Sequence, residues 1–264
     1  MKFIVDHDLH IHSGLSYCSG DKEQNLERIL GYASDNGLKT ICITDHYWEK
    51  NVPCFSGEGF YKGQDFDYIS QSCPLPQSDG IRFLFGCETD LDKNLNLGIT
   101  ENRYEQFDFI IVPTTHLHMH SPDPNNFSPE YRAKIWIERF DTVLNMKLPF
   151  KKVGIAHLAC FLINKSSREN YLKTLELIPN EELKRLFSKA AGKGMGIELN
   201  QADMDFNDGE ADVVLRMFKI AKECGCKFYL GSDAHHPDWF DKTKTVFERA
   251  IALLDLKETD KFNI

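Results

Sequence analysis

The chain reads as an α/β protein whose parallel strands close into a barrel, and three observations carry that expectation. Seven short apolar runs alternate with segments of helical character, which is the pattern of a parallel sheet with crossover helices. The first and last of these runs both end in ionisable residues two positions apart, Asp8-Leu9-His10-Ile11-His12 and Gly231-Ser232-Asp233-Ala234-His235. Residues i and i+2 of an extended chain face the same side, and closing the sheet is the simplest way to bring these two ends together. The length, 264 residues, suits one α/β barrel, which typically takes about 250.

Taken in order, the expected strands are Phe3 to Leu9, Thr40 to Thr44, Arg82 to Phe85, Phe109 to Val112, Lys152 to Ala156, Met195 to Leu199 and Lys227 to Leu230. Between the first two, Leu26, Ile29, Leu30 and Ala33 lie on one helical face, and Gly37 stops the helix. Residues 49–79 hold Pro53, Gly57, Gly59, Gly63, Pro74 and Pro76. They predict a long irregular excursion with at most a short helix, of the kind that usually serves as a functional cover. Ser128 and Pro129 predict the cap and first turn of a further helix, with Ile135, Trp136, Phe140, Val143 and Leu144 as its apolar face. Two more helices are expected over Glu181 to Ala191 and Ala211 to Cys224, ending near Gly192 and Gly225. No internal repeat and no second domain is visible, so residues 1–264 are expected to form one domain.

In α/β folds the site lies at the carboxyl ends of the strands. Here those ends offer His10 and His12, Asp45 and His46, Glu88, His116, His157, Glu198 with Asn200, and Asp233 with His235. His10, His12, His46, His116, His157 and His235 make six of the ten histidines. One such histidine is ordinarily a satisfied polar group, but this concentration points to a metal site. Mixed imidazole and carboxylate ligands suit zinc, iron or manganese. A glutamate can bridge two ions, and two ions about 4 Å apart can clamp an in-line displacement. Asp45 is read as either a partner for a ligand histidine or a plain cap. His7, His120 and His236 are expected in solvated loops.

A net charge of -9 and 27% charged residues argue against a nucleic-acid or membrane partner. A small anionic substrate stays open, since bound cations reverse the local field. The eight cysteines form no CxxC, are expected to be structural thiols, and place Cys42 and Cys87 inside strands. The absence of a signal-like apolar segment or a membrane-length run makes a reducing, cytoplasmic setting the expectation.

The blocks Asp8-Leu9-His10-Ile11-His12-Ser13, Ile43-Thr44-Asp45-His46, Gly86-Cys87-Glu88, the isolated His116, Gly154-Ile155-Ala156-His157 and Gly231-Ser232-Asp233-Ala234-His235 occur in this order. Together they resemble the polymerase and histidinol phosphatase (PHP) family of metal-dependent phosphoesterases, histidinol-phosphatase-like members included, across most of the chain. The resemblance implies a distorted seven-stranded TIM-like (β/α) barrel with two or three divalent ions, zinc, manganese or iron. By position, it implies a first ion on His10, His12, Glu88 and Asp233, and a second on Glu88, His116 and His157. A third would take His46, His235 and a residue of the loop after His12. Many relatives have a histidine in that loop; here Asp21 is the expected ligand, which would favour a harder ion, and Cys18 is the alternate.

The function expected is hydrolysis of a small phosphomonoester by a metal-bound water or hydroxide, without a phosphoenzyme. The substrate could be histidinol phosphate, a nucleotide or another phosphorylated metabolite. His118 is the candidate for contacting substrate or protonating the leaving group. Arg103, Arg132, Lys165 and Arg168 are the cations available for phosphate, with Arg168, in the loop after His157, preferred. Two other readings compete. An amidohydrolase-like deaminase also begins with HxH and ends with a strand-end aspartate, but Glu88, His46 and His235 exceed its needs and no strand-end lysine is evident. A non-catalytic metal-stabilised module fits less well, because the ligand set is nearly complete.

Overall fold

The computed structural model of the chain describes residues 1–120 and 127–264. Seven strands run parallel in sequence order: β1 (His7–Ile11), β2 (Thr40–Ile43), β3 (Arg82–Glu88), β4 (Phe109–Pro113), β5 (Val153–Ala156), β6 (Gly196–Asn200) and β7 (Lys227–Gly231). Beyond β7 the chain meets β1, where Asp233 N donates to His10 O at 2.7 Å and His12 N to Ala234 O at 3.1 Å. Lower in this seam, side chains replace the ladder. Leu230 N donates to His7 Nε2 at 3.1 Å, and Ser232 N to Asp8 Oδ1 at 3.0 Å. The sheet is therefore a nearly closed, distorted barrel.

The first strand differs from its expected bounds. Phe3 to Asp6 lie outside the sheet because this segment pairs with the chain's end: Lys2 bridges Lys257, and Ile4 N donates to Glu258 Oε2 at 2.9 Å. His7, expected in a solvated loop, is instead buried in the seam, and burial lowers its pKa despite the neighbouring Asp6. The β1–β2 register slips between Asp8 and Ile11. Such a bulge re-aims side chains, so Leu9 joins the barrel interior while His10 and His12 reach the rim.

Inside the barrel pack Leu9, Cys42, Leu84, Phe109, Ile111, Ala156, Tyr229 and Phe262. Gly154 is needed here, since a Cβ at that position would sit 2.5 Å from Tyr229 Oη and 2.6 Å from Phe109 Cζ. The outer layer contains α1 (Leu26–Asn36), α2 (Glu58–Tyr61), α3 (Phe66–Ile69), α4 (Pro129–Asn145), α5 (Arg168–Glu176), α6 (Asn180–Lys193), α7 (Ala211–Glu223) and α8 (Phe240–Leu253). Asn25 and Ser128 cap α1 and α4 through their side chains, as the sequence predicts. The left-handed cap of α6 is Gly194, not Gly192. Trp136, Phe140, Phe187 and Phe218 bury the inner faces of α4, α6 and α7, each contributing roughly 1.5–3 kcal/mol. The excursion over residues 49–79 carries α2 and α3 and brings Phe60 and Tyr61 edge-on to His46, with ring centroids 5.0 and 6.0 Å away. No helix among the described residues is long and apolar enough to cross a membrane.

Candidate metal centre

The carboxyl ends of the strands deliver a buried cluster of nitrogen and oxygen donors. His10 Nε2 and His12 Nε2 lie 3.2 Å apart, and Asp233 Oδ1 is 3.3 Å from the first and 3.1 Å from the second. Glu88, at the end of β3, reaches in from the opposite side. Its Oε2 is 3.4 Å from His12 Nε2 and 2.9 Å from His46 Nδ1, and its Oε1 is 3.4 Å from His157 Nε2. His157 Nε2 also lies 3.4 Å from Asp233 Oδ2. The ligand atoms of His10, Glu88 and His157, of His10, His12 and Asp233, and of His12, His46 and His235 form three groups, each within 4.8 Å.

Two of these residues are held in costly backbone. His157 and Asp233 have φ of 55° and 54°, a conformation that costs a residue other than glycine about 1–3 kcal/mol. His157 N is anchored by Glu198 Oε2 at 3.0 Å, and Asp233 N by His10 O. Gly231 makes room for this arrangement, because a Cβ there would lie 2.1 Å from Glu198 Oε1.

The ring orientations are fixed from behind. His10 Nδ1 is 2.6 Å from Glu198 Oε1. His12 Nδ1 is 2.8 Å from Ser16 Oγ, which donates to Asp45 Oδ1 at 2.7 Å. Asp45 also accepts from Ser13 N and Ser13 Oγ, so it braces the whole loop after His12. His116 Nδ1 is 2.8 Å from Asp90 Oδ2. Asp90 in turn meets Arg139, a fully buried arginine on α4 that also donates to Leu91 O at 3.0 Å. His235 Nδ1 donates to Asp233 O at 2.7 Å, leaving Nε2 as its free donor atom. Carboxylates behind metal-ligand histidines set the tautomer and raise basicity.

Electrostatics agree with a site built for cations. Burial would raise the Glu88 carboxyl, but the His46 charge and the nearby rings of His10, His12 and His157 hold it well below the usual range. Asp233 is likewise lowered against burial, first by His157 and His10. His46 is raised to about 9 against its burial, mainly by Glu88. Burial also pushes Asp90 up, but Arg139 and His116 more than offset it. Both Glu88 oxygens and Asp233 Oδ1 are buried with no hydrogen-bond partner. Buried carboxylate oxygens left unpaired are costly, and a cation in their midst satisfies them. The donor set therefore fits bound metal ions.

The other expected site residues are placed as follows. His116 stands next to His157, ring centroids 5.1 Å apart, with its Nδ1 held by Asp90. Asp21 is turned out of the cluster: its Oδ2 is 2.6 Å from His236 Nε2 and its Oδ1 accepts from Glu23 N. Cys18, the alternate, is exposed, and its thiol contributes to the raised pKa of His46. Cys18 and Cys73 are exposed, so the eight thiols are not uniformly buried. His118 is exposed beside His116, ring centroids 5.1 Å apart. Partial desolvation first, then His116, with smaller pushes from Arg139 and Lys165, lower its pKa to about 4. Arg168 is already committed. It forks onto Glu210, with Nε to Oε1 at 2.8 Å and Nη2 to Oε2 at 2.5 Å, and stacks 4.7 Å from the Tyr171 ring. Arg132 is buried and donates to the carbonyls of Phe127 and Ile163. Arg103 faces Gln106, Glu49 and Phe66. Glu198, Asp90, Arg139 and Ser16 are the residues whose parts at the site sequence reasoning did not assign.

A parallel barrel with a histidine–carboxylate cluster fit for metal ions at its carboxyl rim is the class that fold and site define. Comparison with known proteins is consistent with it. The family model for the PHP domain matches residues 8–202. Two curated proteins named "Probable phosphatase" are similar. One, from Caldicellulosiruptor saccharolyticus, is 24% identical over 230 residues, covering 86% of this chain and 79% of the relative. The other, from Caldicellulosiruptor bescii, is 26% identical over 231 residues, covering 87% and 79%. Among solved structures, a histidinol phosphate phosphatase from Lactococcus lactis subsp. lactis, complexed with zinc, L-histidinol and phosphate, aligns with TM-score 0.53 at 17% identity over 93% of each chain. A protein of Listeria monocytogenes assigned as a histidinol phosphatase aligns with TM-score 0.65 at 12% identity, over 92% of this chain and all of that one. The chain belongs to the PHP domain family.

Proposed function

We propose that this protein is a metal-dependent phosphatase that hydrolyses a small phosphomonoester by direct water attack. The observation that carries this reading is Glu88, a buried carboxylate with two unpartnered oxygens, set among His10, His12, His46 and His157. Bound divalent ions supply an activated water and a positive clamp on phosphate oxygens. His10, His12, Glu88 and Asp233 would hold one ion, and Glu88, His116 and His157 a second. His46 and His235 would hold a third, with Cys18 taking the place expected of Asp21. A thiolate donor there favours zinc over manganese.

The chain's own residues do the positioning. Glu198, Asp45 through Ser16, and Asp90 fix the rings of His10, His12 and His116. His118, largely neutral at pH 7 in this setting, offers a hydrogen bond to substrate at the exposed side of His116. Lys165 is the exposed cation whose charge is felt at His118, so it replaces Arg168 as the phosphate-binding candidate. Lys165→Ala is expected to raise KM several-fold with little change in kcat, while Arg168→Ala leaves KM unchanged and costs at most about 1 kcal/mol of stability. Steady-state kinetics and denaturant melts of the two variants separate these outcomes.

The likeness to a structure holding zinc, L-histidinol and phosphate makes L-histidinol phosphate the first substrate to test, alongside nucleotides and other phosphorylated metabolites. Metal analysis of protein purified without added metal, followed by such a panel, tests the reading. Turnover of a chiral phosphate monoester should invert at phosphorus. Overall retention would mean a phosphoenzyme, and hydrolysis of a cyclic amide in place of any phosphoester would move the chain to the deaminase-like class.

A further inference from the structure

One buried group of ligand-type side chains lies behind the metal centre. The ligand atoms of His157, Cys160 and Asp203 fall within 4.8 Å of one another, and all three residues are buried. His157 turns Nε2 toward Glu88 and Asp233. Its Nδ1 is buried without a geometrically aligned partner, and so is Asp203 Oδ1. Cys160 Sγ lies within 4.8 Å of a His157 ring nitrogen, and Asp203 Oδ2 accepts from Ala159 N at 3.0 Å.

One arrangement of protons satisfies all three groups. With Nε2 as the donor atom to an ion, Nδ1 carries a hydrogen and donates it to Cys160 Sγ. The thiol hydrogen is then free to donate to Asp203 Oδ1. The same device is already formed elsewhere in the centre, where His12 Nδ1 meets Ser16 Oγ and Ser16 donates to Asp45. In both cases the aspartate also takes a backbone N–H from the loop just after the histidine, Ser13 N for Asp45 and Ala159 N for Asp203. In both, too, it comes from the carboxyl side of the next strand.

We infer that His157, Cys160 and Asp203 form a second histidine–hydroxyl-type relay, in which Cys160 and Asp203 are positioning residues that hold His157 in the tautomer able to bind an ion. This rests on the metal-centre reading above. It adds that a thiol here acts as a hydrogen-bond bridge, and not as a nucleophile or a ligand. Without the relay, Nδ1–H points into a site with no acceptor, and the ring loses both its orientation and its basicity.

The test uses zinc affinity of the full chain, read by competition with a chromophoric chelator, together with nitrogen-15 NMR of the histidine rings. Cys160→Ala and Asp203→Asn should each weaken binding of the ion held by His157 by about 10–100-fold. They should also shift or broaden the His157 Nδ1 signal, identified by its loss in His157→Gln. Cys160→Ser, which keeps a donor and acceptor, should restore both. Asp203→Asn retains an oxygen for Ala159 N, so its metal-free melt should stay close to the parent. Parental zinc affinity and an unchanged Nδ1 signal in both Cys160→Ala and Asp203→Asn overturn the relay. So does a Cys160→Ser variant as impaired as Cys160→Ala, since a hydroxyl should serve. A parent protein that takes up no zinc, manganese or iron overturns the metal-centre reading itself, which the variant series alone does not.

Discussion

Glu88→Gln should abolish phosphoester hydrolysis, by at least about a thousandfold, while leaving the barrel folded. Both oxygens of Glu88 are buried and unpartnered, and they face His12, His46 and His157 within 3.4 Å. The amide keeps the volume, so packing at the end of β3 is undisturbed. It removes the negative charge that holds ions together, and it offers only one oxygen. Metal content should therefore fall along with activity. Elemental analysis, kinetics and a thermal melt of the same preparation check all three parts. A variant with full metal occupancy and full turnover would show that Glu88 does not bridge the ions.

Asp90→Asn should be the most destabilising single change near the site, at about 3–5 kcal/mol. Its carboxylate neutralises Arg139, which is completely buried on α4, and also fixes His116. Replacing it strands a guanidinium in the core with no compensating charge. For a chain of this size the expected drop in Tm is about 10 °C. The double change Asp90→Leu with Arg139→Met should recover much of that loss, because an apolar pair of similar volume avoids the desolvation cost. It should not recover metal binding at His116. Urea unfolding of Asp90→Leu, Arg139→Met and the double variant measures the coupling directly. Additive losses would mean that the two side chains do not act as a pair.

The donors that meet at the rim were legible because they end strands. Alternation placed His10 with His12 and Asp233 with His235, and the apolar runs before Glu88 and His157 fixed their position along the barrel. Their supports were not legible. Arg139 looks like any helix charge until α4 is packed and its exposure falls to 0%. Asp90, Glu198 and Asp203 gain meaning only from which strand stands next to which. Asp21 has the chemistry of a ligand, but its own loop caps Glu23 N with it and turns the other oxygen to His236. Arg168 has a suitable place in the loop after His157, but Glu210, 42 positions away, claims it. The start of β1 is not legible because Phe3, Ile4 and Val5 have strand character, yet that segment pairs with residues 257 and 258.

That pairing, and the side-chain seam between β1 and β7, bear on when this protein becomes a finished molecule. Ser232 and Asp8 meet across 224 positions of sequence, and the donors at the seam come from the same two ends. A chain that has assembled β1 to β6 already holds His10, Glu88 and His157, but the group of His10, His12 and Asp233 waits for the segment after β7. An ion bound by His10, His12 and Asp233 would act as a reversible cross-link between the two ends. By the loop-closure reasoning used for disulfides, fastening a loop of that length is worth about 5 kcal/mol. Such an ion would add to the hydrogen bonds that already join β1 to β7 and the residues after it.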